Sequence, residues 1–98
     1  MSRIEVAPEV REDLERILEH LNEFDVAEPS VRINEIIHAI SVLEHNPLIG
    51  HPVGNDLREL IIGRGAHGYI ALYRYLSEID TVLLLAIRSQ REAGYRRL

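Results

Sequence analysis

The 98-residue sequence predicts an α+β fold with the element order β-α-α-β-β-β: a helical hairpin packed on one face of a small, mainly antiparallel twisted sheet. Three observations carry this expectation. Apolar residues recur at helical spacing through two stretches of the first half. The second half holds apolar, strand-like runs joined by short polar connections. A segment dense in proline and glycine, residues 47–56, divides the two halves.

The elements follow in order. Arg3-Ile4-Glu5-Val6-Ala7 alternates in polarity and predicts a short strand, which Ala7-Pro8 ends. Pro8 suits the first turn of a helix, where the missing N–H costs nothing, and Glu9, Glu12 and Asp13 suit the positive end of the helix dipole. Val10, Leu14, Ile17, Leu18 and Leu21 then form one apolar stripe. The run Phe24-Asp25-Val26-Ala27-Glu28-Pro29 interrupts it. A second helix begins near Pro29 or Ser30, carries Ile33, Ile36, Ile37, Ile40 and Leu43 on one face, and stops at Asn46-Pro47. The short link between the helices predicts an antiparallel hairpin. Residues 47–56 read as a loop. Residues 57–62, 69–75 and 81–88 read as the strands of an antiparallel meander, with the first strand joining the sheet edge beside a later one.

Length predicts a single domain over residues 1–98, large enough for one core but small enough that a stabilising partner would suit it. The chain has no cysteine, which excludes disulfides and thiolate sites and fits a cytoplasmic location. No run is long and apolar enough to predict a signal peptide or a membrane span. The net charge of −5 is unevenly placed. Residues 1–45 hold four arginines against eleven carboxylates, and residues 46–98 hold seven against five, with no lysine in the chain. The C-terminal half therefore offers guanidinium groups to an anionic or carboxylate-rich partner. The overall acidity argues against tight binding of nucleic acid through phosphates alone.

Few residues suggest catalysis. The five histidines, His20, His38, His45, His51 and His67, show neither HxxxH nor HExxH spacing and predict no metal site. No serine sits in a nucleophile elbow. Gly63-x-Gly65-x-x-Gly68 matches a phosphate-loop pattern, but it lies between two strands with no helix after it, so it reads as a hairpin turn. The arginines carry more information. Arg74 shares a strand face with Leu72 and Ile70, and Arg58 and Arg64 share one with Leu60 and Ile62. An internal ion pair to Glu59 or Glu78 is the plain expectation for Arg58 or Arg74. Arg88, Arg91, Arg96 and Arg97 lie at or beyond the end of the last strand, and Tyr95 sits among them with no apolar register to explain it.

With this element order, Arg58-Glu59-Leu60 in the second strand, Gly68-Tyr69-(x)3-Tyr73-Arg74 in the third and Ile87-Arg88-(x)2-Arg91-Glu92 after the fourth, nearly the whole chain resembles the RelE/ParE toxin superfamily. These are the small toxins of type II toxin–antitoxin modules. The resemblance implies one of two activities. RelE-like members cut messenger RNA on the ribosome, using clustered cations to hold and stabilise the phosphate. ParE-like members inhibit DNA gyrase and are not nucleases. Aligned on Gly68-Tyr69, the ribonuclease lysines fall near Ile61 and Gly63, its first arginine at Ile70, its second at Ser89 or Arg88, and its tyrosine at Tyr95. Ser89 also stands where many relatives carry a histidine.

These departures favour the ParE-like branch. That branch implies a protein-binding inhibitor with no catalysis of its own, no cofactor and no metal, whose target contact is the tail: Arg88, Arg91, Tyr95, Arg96 and Arg97. It implies a ParD-like antitoxin as partner in a hetero-oligomer, and operator DNA bound mainly through the antitoxin. The RelE-like alternative implies the ribosome and mRNA as partners, with a site of Arg58, Arg74, Arg88, Arg91 and Tyr95.

Overall fold

The computed structural model describes residues 1–23, 28–63 and 68–95. Strand β1 (Arg3–Val6) leads into helix α1 (Val10–Glu23), and helix α2 (Pro29–Ser41) closes in a 3-10 turn, Val42–Glu44. Strands β2 (His51–Gly54), β3 (Leu57–Ile62), β4 (Tyr69–Leu76) and β5 (Thr81–Ser89) complete one sheet in the order β1-β5-β4-β3-β2. β1 runs parallel to β5 at one edge, and every other pair is antiparallel. The α+β class, the helical hairpin and the mainly antiparallel sheet are as the sequence predicts. Residues 24–27 of the expected break, Arg64, His67 and the terminal Arg96 and Arg97 lie outside the described residues.

The departure is β2. Part of the segment expected to be loop pairs with β3, with His51 opposite Glu59 and Pro52 opposite Arg58. All four residues of β2 are exposed, so no apolar alternation marks the strand. Proline is tolerated because this is the sheet edge, where one side of the strand makes no ladder bonds. Asn55 and Asp56 both take positive φ and turn the chain into β3, the backbone that primed hairpin turns require. At the far end of β3, Gly63 has φ 74, in keeping with its reading as a turn residue.

Both helices pack on one face of the sheet. Val10, Ile17 and Leu21 of α1 and Ile36 of α2 close over Ile62, Tyr69, Ala71, Tyr73, Val82, Leu84 and Ile87. Leu18 and Ile37, expected in the helical stripes, are exposed instead. The arc of helix surface that meets the sheet is narrower than the apolar stripe. Tyr73 is fully buried, and its hydroxyl oxygen accepts the Gly50 N–H at 2.8 Å. A Cβ on Gly50 would lie 2.7 Å from the Tyr73 ring and 2.9 Å from the Glu59 carbonyl, so only glycine lets the chain pass here. One row further along β4, Tyr75 and, from the N-terminus, Ser2 both donate to Asp80 Oδ1 at 2.6 Å, tying the N-terminus to the β4–β5 turn. Those two hydrogen bonds hold the Asp80 carboxyl below its ordinary range. No helix among the described residues is long and apolar enough to cross a membrane.

One buried charge belongs to this packing. Asp13 on α1 is only 2% exposed and accepts the Ile87 N–H at 3.0 Å. β1 accompanies β5 only as far as Leu84, so beyond that point the outer backbone groups of β5 have no strand neighbour. Asp13 and Arg16 replace it: Asp13 takes the Ile87 N–H, and Arg16 donates to the Ile87 carbonyl at 3.2 Å.

Candidate functional site

Side chains directly opposite in an antiparallel pair share a face. The rows Arg58–Tyr73–Leu84, Leu60–Ala71–Ile87 and Ile62–Tyr69–Ser89 face the helices. The rows Leu57–Arg74–Leu83, Glu59–Leu72–Ala86 and Ile61–Ile70–Arg88 face away from them. A register shift after Leu72 keeps both faces consistent across the pair. This second face is where the C-terminal segment folds back.

Residues beyond β5 turn sharply. The Glu92 N–H donates to the Ser89 carbonyl at 3.1 Å, and the Gln90 N–H donates to the Gly68 carbonyl at 3.0 Å, anchoring the turn to the start of β4. The chain then carries Tyr95 onto the helix-free face. Its hydroxyl donates to Glu59 Oε2 at 2.6 Å. The Arg88 guanidinium stands over the same ring, 5.1 Å from its centroid, a cation–π contact. Arg88 also donates to the Glu92 carbonyl at 2.9 Å and the Ser89 carbonyl at 3.3 Å. On the far side of Glu59, exposed His51 places Nε2 3.6 Å from Oε1. Burial, and then the Glu59 carboxylate as acceptor and as charge, push the Tyr95 phenol far above its ordinary value, against the smaller opposing effect of Arg88. Tyr95 therefore stays protonated and acts as a donor.

Of the sequence candidates, the structure brings Arg88 and Tyr95 together. Arg91 lies exposed on the turn between them. Arg74 shares their face but sits two rows away, about 13 Å along the strand at ~3.3 Å per residue. It donates to the Asn55 carbonyl at 3.1 Å. Arg58 is on the other side of the sheet, donating to the Gly50 and Leu48 carbonyls at 2.7 and 3.1 Å. The expected ion pairs of Arg58 and Arg74 with Glu59 or Glu78 are corrected accordingly: both guanidinium groups serve loop carbonyls, which side-chain sequence pairing does not reveal. Of the two residues at the second arginine position, Arg88 faces the site and Ser89 faces the helices. A concavity of about 930 Å³ lies at the other end of the sheet, lined in part by Leu48, Arg58, Arg74 and Ile79 and remote from Tyr95.

Glu59, at the centre of this arrangement, reads from the sequence only as an ion-pair partner. Its alternation with Leu57 and Ile61 already placed it on the face opposite Arg58. The Asp13–Arg16 pair had no such signal, because an acid in the first helical turn is explained by the dipole. Among the described residues, no three histidine, aspartate or glutamate side chains converge as metal ligands.

The family model described as the ParE toxin of the type II toxin–antitoxin system parDE matches residues 4–94. The chain is 28% identical over 92 residues to a Caulobacter vibrioides protein named Toxin RelE3, covering 94% of this chain and 98% of that one. In fold it is similar to a chain of a chromosomal ParDE toxin–antitoxin system from P. aeruginosa, with a TM-score of 0.71, 19% identity and coverage of 91% and 96% of the two chains. It is similar also to a chain of the E. coli RelBE toxin–antitoxin complex, with a TM-score of 0.62, 14% identity and coverage of 94% and 100%. With residues 4–94 of the chain matched by the family model, the chain belongs to the ParE toxin family, within the RelE/ParE superfamily of type II toxin–antitoxin toxins.

Proposed function

We propose that this toxin is a ParE-like, protein-binding inhibitor of DNA gyrase rather than a ribosome-dependent ribonuclease. The observation that carries this reading is the carboxylate of Glu59 at the middle of the helix-free face, 2.6 Å from the Tyr95 hydroxyl. A phosphodiester seated beside Tyr95 would meet this negative charge, and cleavage would add more charge in the transition state. The neighbouring positions are Ile61, Ile70 and Leu72, which stabilise no anion. The Arg88 guanidinium stacks on the Tyr95 ring, and its Nη1 already serves two backbone carbonyls. The face suits a protein surface better than a scissile phosphate.

The tail residues Arg88, Arg91, Tyr95, Arg96 and Arg97 make the target contact in this reading. A ParD-like antitoxin neutralises the toxin by ordering an acidic and apolar segment on it, forms a hetero-oligomer with it, and supplies most contacts to operator DNA. A gyrase target places the protein in the cytoplasm.

Two assays with the purified chain test the reading. With gyrase and plasmid DNA, it is expected to block supercoiling and accumulate cleaved DNA–gyrase complexes. With translating ribosomes and a defined message, it is expected to leave the message intact. Codon-positioned cleavage of the message would overturn the proposal and establish the ribonuclease.

A further inference from the structure

An arginine of the helix layer grips the described part of the tail. Arg16, on the second turn of α1, is half-buried beside Asp13, with its Nη1 3.0 Å from Asp13 Oδ1. The same guanidinium donates to the Ile87 carbonyl, and it grips Glu92 through Nε to Oε1 at 3.1 Å and through Nη2 to Oε2 at 3.2 Å. Glu92 Oε2 in turn accepts the Ser89 N–H at 2.7 Å. Two parallel N–H···O bonds between arginine and a carboxylate fix orientation as well as distance. Burial alone would lower the Arg16 pKa, but the bonds and charges of Asp13 and Glu92 outweigh it, so the cation persists.

We propose that Arg16 is a positioning residue for the tail. By holding Glu92, it sets the turn from which Arg88, Arg91 and Tyr95 are presented. The chain must leave β5 on the helix side, round the end of the sheet and reach Glu59 on the other face. Glu92 is the fixed point of that path. Its carbonyl holds Arg88 and its carboxylate holds Arg16, so the two guanidinium groups are set against one residue from opposite sides. Without Arg16, the carboxylate loses its two-pronged anchor on α1, which leaves more of the ordering to the Tyr95 contact at the far end of the tail. α1 thereby becomes part of the inhibitory surface without contacting the target.

This inference rests on the reading that the tail contacts the target, and the test separates the two. Arg16→Ala, Arg16→Lys and Glu92→Ala are compared with the wild type by amide hydrogen exchange and by gyrase inhibition, with thermal unfolding as a control. Arg16→Ala is expected to speed exchange at Ser89 and Glu92 tenfold or more while leaving β3 and β4 protected, and to weaken inhibition at least tenfold. Arg16→Lys keeps the charge but not the fork and should recover part of both. If Arg16→Ala does not fold, Glu92→Ala, altered on the tail itself, is read in its place. Unchanged exchange, or loosened exchange with undiminished inhibition, would overturn the proposal. If the wild type itself does not inhibit gyrase, the functional reading fails, and the inference fails with it unless message cleavage shows the same dependence on Arg16.

Discussion

The two faces of the β3–β4–β5 sheet are made from the same strands, one residue out of phase, yet they are held in different ways. The helix face is a packed apolar core in which Tyr73 and Ile87 are fully buried. The other face carries no helix among the described residues. Its Ile70, Leu72 and Ala86 are nevertheless buried, and around Glu59 the returning tail adds polar contacts: Tyr95 on Glu59, Arg88 on the Tyr95 ring, and Glu92 on Arg16. Apolar packing is non-directional and resists local opening. Hydrogen bonds and ion pairs at a partly wet surface are directional and individually weak. The main core thus lies on the helix face, and the directional, more adjustable contacts lie on the other.

Substitution can break this contrast most sharply at adjacent residues. Ile62, 5% exposed, faces the helices, and Ile61, 48% exposed, faces away. Ile62→Ala is expected to cost about 2–5 kcal/mol of unfolding free energy, the range for a buried Ile→Ala change. Ile61→Ala should cost under ~1 kcal/mol, as usual for exposed sites. Denaturant titration of both variants decides this, and equal losses would show that the second face is as tightly packed as the first. Asp13→Ala is next. It leaves the buried Ile87 N–H and part of Arg16 uncompensated and should cost about 3 kcal/mol, read in the same titration.

Smaller effects belong to the tail. Tyr95→Phe removes one hydrogen bond to a carboxylate and should lower stability by no more than about 1–3 kcal/mol, while gyrase inhibition falls by a larger factor. A second measurement concerns the phenol itself. Because the Tyr95 pKa is raised in the folded state, its contact stabilises the fold below the unfolded tyrosine value of 10.0, and that stability is lost as pH rises through the folded pKa. Difference absorbance of phenolate should therefore show a late-titrating tyrosine in the wild type, moved to lower pH in Glu59→Gln. The smallest effect is expected at Asp80. Its lowered carboxyl contributes stability above the ordinary value of 3.8, lost as pH falls through the folded pKa. Ser2→Ala should flatten the acid limb of a thermal-unfolding pH profile slightly.

Much of this was legible in the sequence. The helical stripes, the three apolar strands and the turn at Gly63 follow from local periodicity and local backbone demands, which residues a few positions apart suffice to express. β2 was not legible, because an exposed edge strand carries no alternation and its Pro52 argues against a strand until the edge is known. At the candidate site, Tyr95 and Arg88 stood out by type and place. Glu59 did not, since its role arises only when a residue 36 positions away returns to it.

The sequence by itself determined the fold class, the family resemblance and the absence of lysines and cysteines, because patterning and composition are properties of neighbours along the chain. Only the tertiary structure decided which arginines are available. It turned Arg58 behind the sheet, gave Arg74 to a loop carbonyl, stacked Arg88 on Tyr95 and tied Arg16 to Glu92. A guanidinium spends its donors on whichever oxygens folding brings within reach, and for these side chains most of those oxygens lie on backbone or on carboxylates far away in sequence.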